Sequence, residues 1–232
     1  AVTGKGADLL IIDDPHCTTL DTLIPTTQGF KPMEEIEIGD QVFGPDGKPT
    51  KVVSKSPVYL DQPLYAAETS DGQLVYCNAN HKWNTRETYW DKFSDKTAED
   101  LAGHGEATLP RTGIVEYSYK DLPIDPYCLG AWLGDGTATL GRINSGHEDV
   151  DFMRSQFDQA GYVTTDQKDT RNFGVLGIRA KLIKMGLYNN KWIPSGYLIS
   201  SVSQRMALIQ GLMDTDGNVT KRGQCAFDNT NL

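Results

Sequence analysis

Apolar and polar residues alternate in short runs broken by glycine-containing turns from about residue 18 to residue 120; beyond that, apolar residues recur at helical spacing. The early region opens with CTTLDTLIPTTQGFKPMEEIEIGDQVFGPDGK, which carries turn signals at Gly29, Gly39-Asp40 and Pro45-Asp46-Gly47 and predicts short strands joined by tight turns. KFSDKTAEDLAGHGEATLPR, ending at Arg111, predicts a short helix and a loop leading back to strands. DLPIDP, Asp121 to Pro126, has two prolines and predicts an extended linker. After it come two versions of one pattern, CLGAWLGDG (Cys128–Gly136) and IQGLMDTDG (Ile209–Gly217): an apolar helix with small residues four apart, closed by Asp-Gly. Between them TATLGRINS predicts a strand, and Val150, Met153, Phe157 and Ala160 predict a helix. VTTDQKDTRNFGVLGI predicts strands around a turn, and AKLIKMGLY a second helix. NVTKRGQCAFDNTNL, after Gly217, has room for a strand or two.

In the repeated pattern Gly130 and Gly134, or Gly211 and Thr215, lie one turn apart, so the two helices can pack backbone to backbone. Asp135 and Asp216 then close the helices at matching places, 81 positions apart. A carboxylate at a helix C-terminus opposes the helix dipole at about 0.3–1 kcal/mol, and two of them brought together repel. A divalent cation removes both penalties. These residues resemble the LAGLIDADG homing endonucleases. The second copy sits in a longer resemblance, KWIPSGYLISSVSQRMALIQGLMDTDG from Lys191, and LPIDPYCLGAWLGDG from Leu122 is similar to the first motif of endonucleases carried inside inteins. The resemblance implies two αββαββα half-domains joined by the helix pair. It also implies that Asp135 and Asp216 bind Mg²⁺, or another divalent cation, at the scissile phosphates of double-stranded DNA. The 81 positions hold one half-domain, so the second is expected to be incomplete.

Near the start of the chain, Leu9 to Ile12 run into Asp13 and Asp14, the layout of a buried strand delivering carboxylates at its end. GKGADLLIIDDPH resembles the Walker B region of a phage terminase large subunit, although no GxxxxGK[ST] phosphate loop is present. The pattern breaks at Cys17. From there onward the chain resembles the N-terminal splicing block of an intein, a β-rich Hint horseshoe fold, with Cys17 as its first residue. The implied chemistry is attack of the Cys17 thiol on the carbonyl of His16, converting a peptide bond to a thioester. LVYCNANHKWNT, Leu74 to Thr85, resembles a second intein block. The resemblance makes His81 the general acid for the scissile amide nitrogen and places Asn78 where Thr is usual.

The α+β chain is therefore expected to comprise a terminase-like extein (1–16), an N-terminal splicing region (17–121) and a partial endonuclease (122–232). The expected C-terminal His-Asn splicing block is absent from the sequence, which suggests a truncated product or a split intein. Net charge −9 argues against DNA binding until the chain is divided: residues 1–125 carry −10 and residues 126–232 carry +1. With no long apolar run, the chain is expected to be soluble, cytoplasmic and free of membrane, a monomer with a pseudo-two-fold endonuclease. Cys77, Cys128 and Cys225 lack metal spacing and predict packing in the interior, whereas His104 and His147 predict solvated side chains. Two alternatives remain open: a terminase ATPase fragment, and a degenerate intein whose endonuclease is inactive.

Overall fold

A computed structural model describes residues 18–70, 72–87, 92–103 and 106–227. The terminase-like segment 1–16, Cys17 and His104 lie outside the described residues. The chain divides between Glu116 and Tyr117 into two compact units.

The first unit is built of short strands. β1 (Leu23–Thr26) turns back at Gly29 into β2 (Gly29–Pro32), and β3 (Gln41–Phe43) and β4 (Pro49–Lys51) extend the antiparallel sheet in the order β2-β1-β3-β4. Gly29 has φ +128°, a backbone that side-chain-bearing residues rarely adopt, which explains glycine at this hairpin. Val42 and Ile24 of this sheet pack with Ile36 and Val52 in a small core, whereas Leu23 and Phe30 are exposed. β5 (Leu64–Glu68) and β6 (Leu74–Asn78) form an antiparallel ribbon with Leu64 opposite Asn78. β7 (Lys82–Glu87) lies between β8 (Ser94–Thr97) and β9 (Ala107–Thr108). The expected short helix is α1 (Ala98–Leu101), started by a reciprocal cap between Thr97 and Asp100.

The second unit begins with α2 (Pro126–Asp135). Asp125 caps it by accepting the Cys128 N–H at 3.2 Å, and Pro126 occupies the first turn, where its missing N–H costs nothing. Then come β10 (Arg142–Asn144), α3 (Val150–Gln159), β11 (Thr164–Asp166), β12 (Asn172–Val175), α4 (Ile178–Lys184), α5 (Ser195–Leu198) and α6 (Val202–Asp216). β13 (Gly217–Val219) and β14 (Cys225–Phe227) close as a hairpin. β10, β12 and β11 form a three-stranded antiparallel sheet in that order. Its Ile143, Phe173 and Val175 join Trp132 of α2, Met153 and Phe157 of α3, and Ile178 and Leu182 of α4 in one core. Each large side chain so buried contributes about 1.5–3 kcal/mol.

Two expectations are corrected. Asp121–Pro126 is not a free linker: Ile124 is fully buried, and the Tyr197 hydroxyl both accepts its N–H at 3.0 Å and donates to its carbonyl at 2.7 Å. Four residues earlier, Gln204 clasps Lys120 in the same way, accepting its N–H and donating to its carbonyl. The prolines keep the segment from pairing as a strand, and these side chains satisfy its backbone instead. Cys225 is exposed on β14, as are its strand neighbours Ala226 and Phe227. Cys77 and Cys128 are buried as expected, and His147 is exposed.

Candidate functional site

The two repeated helices meet at their glycines. A Cβ added at Gly130 would press on the Leu208 carbonyl oxygen and lie 3.0 Å from the Leu212 nitrogen. One added at Gly211 would press on the Tyr127 carbonyl oxygen and lie 2.7 Å from the Ala131 nitrogen. No side chain larger than hydrogen fits at either place, so the glycines permit backbone to meet backbone. One turn on, Thr215 fills the notch left by Gly134; its hydroxyl donates to a carbonyl of its own helix, Gly211 or Leu212, each at 3.0 Å.

This packing brings the two helix C-termini together, and with them Asp135 and Asp216, the last residues of α2 and α6. Asp135 is half-buried and Asp216 exposed. Burial raises the Asp135 carboxyl above its ordinary range, the Asp216 charge raises it further, and Lys191 opposes both. Asn144 donates to the Asp135 main-chain carbonyl at 3.1 Å, anchoring the end of α2 to β10.

Lys191 is a site residue that sequence reasoning passed over. Its ammonium donates to the Gly134 carbonyl at 2.7 Å and lies 5.4 Å from the centre of the Trp132 ring. Burial lowers its pKa, against the pull of Asp216 and Asp135. The available signal was its place at the head of the long motif, 25 positions before Asp216. A lysine beside tryptophan in sequence does not by itself reveal the helix end it will reach.

Among the described residues no group of three or more His, Cys, Asp or Glu gathers to hold a metal. The donor set is two carboxylates, with Lys191 outside ion-pair distance of either among the described contacts. That set suits Mg²⁺, which keeps several waters and takes one or two carboxylates together with substrate phosphate oxygens.

In the first unit, β6 ends at Asn78, which is 7% exposed. The Asn78 side-chain oxygen accepts the Asn80 N–H at 3.1 Å, and its main-chain oxygen accepts the His81 N–H at 3.2 Å. This Asx-type turn delivers His81 to the start of β7, where its ring meets Trp83 edge-on at 4.9 Å. The Ala98 N–H donates to the His81 carbonyl at 2.8 Å, tying the turn to α1. Thr18, the residue after Cys17, pairs antiparallel with Cys77, so the chain enters the described region directly beside the strand that ends in Asn78. Among the described residues the buried Thr18 hydroxyl has no hydrogen-bond partner. Burial raises the Cys77 thiol, keeping it protonated and unreactive.

No helix among the described residues is long and apolar enough to cross a membrane. No family model matches the chain. It is 34% identical over 257 aligned positions to the replicative DNA helicase DnaB of Mycobacterium intracellulare, covering 98% of this chain and 42% of the helicase. It is 23% identical over 241 positions to the ribonucleoside-diphosphate reductase large subunit of Invertebrate iridescent virus 6, covering 94% of this chain and 23% of the reductase. The chain thus spans less than half the length of either relative. Among solved structures it is similar to the MchDnaB-1 intein, at 34% identity over 42% of this chain and 70% of that one, with a TM-score of 0.36.

Proposed function

We propose that the chain is an intein: a β-rich splicing region of the Hint type beginning at Cys17, followed by a LAGLIDADG-type DNA endonuclease. The observation that carries the splicing half is the pairing of Thr18 with Cys77, next to the Asn78–His81 turn. It brings the residue after the nucleophile to the strand that leads into the general acid. The relatives support the same reading. A helicase and a reductase have no activity in common, yet each aligns with nearly all of this chain through a minority of its own length. A segment shared by unrelated hosts in that way behaves as an insertion.

In the splicing step the Cys17 thiol loses its proton as sulfur adds to the His16 carbonyl carbon, the His16–Cys17 amide bond breaks, and His81 gives a proton to the departing nitrogen, so that the net change carries the thiol proton to the freed amine. Asn78 holds the turn from which His81 acts. In the endonuclease, Asp135 and Asp216 would hold a divalent metal, with the charge of Lys191 kept nearby. When bound, such an ion would supply charge for the leaving oxygen and for activation of water. The substrate is double-stranded DNA, the flanking host is the terminase-like sequence of residues 1–16, and the setting is cytoplasmic.

The test of the splicing half uses excess small thiol, which intercepts a thioester. Incubation should release a fragment beginning at Cys17, visible by mass spectrometry. Cys17→Ala should abolish its release and His81→Ala should slow it by about 10²–10⁴-fold. Release at the parental rate from Cys17→Ala would refute the nucleophile. The endonuclease half is tested on DNA of the uninterrupted host gene with Mg²⁺: Asp135→Asn and Asp216→Asn should each abolish double-strand cleavage while leaving DNA binding. Full cleavage by either variant would sink the assignment.

A further inference from the structure

The turn at Asn78 fixes the backbone of His81 but not the rotation of its ring, a torsion that by itself has broad, roughly two-fold wells. Half a rotation exchanges the two ring nitrogens, so a general acid that must meet one amide nitrogen needs a contact that distinguishes the two settings. Trp83 makes such a contact. His81 and Trp83 stand two positions apart and share a face at the start of β7, and their rings meet at 4.9 Å with an interplanar angle of 77°. Trp83 is in turn held from β6: its indole N–H can only donate, and the Cys77 sulfur accepts from it. Cys77 is fully buried, stands immediately before Asn78, and pairs through its main chain with Thr18. One residue therefore meets the chain arriving from Cys17 with its backbone and the neighbour of His81 with its side chain.

We propose that Trp83 is a positioning residue of the splicing step: anchored on Cys77, it fixes the rotation of the His81 imidazole so that the same ring nitrogen always meets the departing amide nitrogen. The proposal rests on the assignment of His81 as the general acid, and adds a residue that acts only through it. An aliphatic side chain at position 83 fills similar space but has neither the ring face and edge that set the angle of an aromatic pair nor a donor for Cys77.

The full-length chain is tested in two ways. In the imidazole NMR spectrum, which requires no reaction, the His81 signals are assigned by their loss in His81→Ala; they should move in Trp83→Leu while those of His147 stay. In excess small thiol, release of the fragment beginning at Cys17 should slow by about 10–10²-fold in Trp83→Leu. Trp83→Phe, which keeps a ring beside His81, should recover most of that loss. Because Trp83 acts through His81, Trp83→Leu made in the His81→Ala background should slow release by less than about twofold further. A loss there as large as in the parent shows a structural role alone and overturns the proposal, as does parental release from Trp83→Leu or a His81 spectrum unmoved by it. Parental release from His81→Ala overturns the general acid itself, a failure distinct from that of Trp83. If Trp83→Leu does not fold, Cys77→Ala decides: it removes only the anchor, should move the His81 signals and slow release, and parental behaviour in both measurements overturns the proposal. If the parent releases no fragment, the spectrum alone decides.

Discussion

Gly211→Ala tests the helix pair by the sign of its effect. In an open helix, alanine is more stable than glycine by about 0.8–1 kcal/mol, because glycine loses more backbone entropy on folding. At Gly211 the new Cβ would press on the Tyr127 carbonyl oxygen and lie 2.7 Å from the Ala131 nitrogen, where ordinary contact begins near about 3.5 Å. Both obstacles are backbone of α2, so no rotamer change relieves them and the helices must part by about 1 Å. Leu129, Leu208 and Leu212 lie in the same core, and a gap of that size forfeits a quarter to a half of the dispersion attraction along the seam. Overpacking of this kind costs about 3 kcal/mol, the upper end of its range, and the propensity gain offsets about 1, leaving about 2 kcal/mol of destabilisation. Gly196 in α5 is the control: a Cβ there meets only Leu122 Cδ2 at 3.8 Å, so Gly196→Ala should be neutral or stabilising by up to about 1 kcal/mol. Urea unfolding with unchanged slope measures both. If Gly211→Ala proves more stable than the parent, α2 and α6 do not meet as described.

The same contacts have other consequences. Because the folded-state carboxyl of Asp135 is raised above its ordinary 3.8, the folded protein keeps a proton that the unfolded chain releases between the two values. Stability of the metal-free protein should therefore fall as pH rises through that window, and Asp135→Asn should flatten the fall; an unchanged slope in thermal melts against pH would contradict it. Tyr197→Phe leaves the buried N–H and carbonyl of Ile124 without their partner and should destabilise by about 2–4 kcal/mol in urea, whereas a loss near zero would mean the clasp contributes nothing. Lys191→Met keeps the stem against Trp132 but removes the charge, so Mg²⁺-dependent cleavage should slow by about 10²–10³-fold with the fold intact by circular dichroism. Parental cleavage rates would remove Lys191 from the site.

The parts of this fold that were legible in sequence are those whose signal is local. Val150, Met153 and Phe157 marked α3 by their spacing, and Gly29, Gly39 and Gly47 marked turns because each has the positive φ that glycine tolerates. The paired glycines were legible for a related reason: a helix that must approach another at backbone distance has to omit its side chains at regular intervals. What escaped depended on contacts across long stretches of chain. Lys191 reaches the carbonyl of Gly134, 57 positions away, and Tyr197 holds Ile124 from 73 positions away. Nothing in the residues around Lys191 or Ile124 encodes those meetings. For the same reason the two prolines of Asp121–Pro126 suggested an extended linker, although Ile124 within it is held by Tyr197 of α5 and Lys120 just before it by Gln204 of α6.

The arrangement around Asp135 and Asp216 would also leave the acids available to the proposed cation. Two carboxylates at adjacent helix ends are unfavourable without positive charge nearby, and the simplest remedy would be a direct ion pair. Lys191 instead directs its best hydrogen bond to the Gly134 carbonyl, at the negative end of the α2 dipole, and lies over the Trp132 ring. Held there, its charge lies near both carboxylates without occupying an oxygen of either. Asn144 likewise takes the main-chain carbonyl of Asp135 and leaves the side chain alone. The anchoring interactions all go to backbone groups, so the carboxylate oxygens can turn toward an incoming cation. A lysine paired directly to Asp135 or Asp216 would stabilise the empty protein more and compete with that cation for the same oxygens.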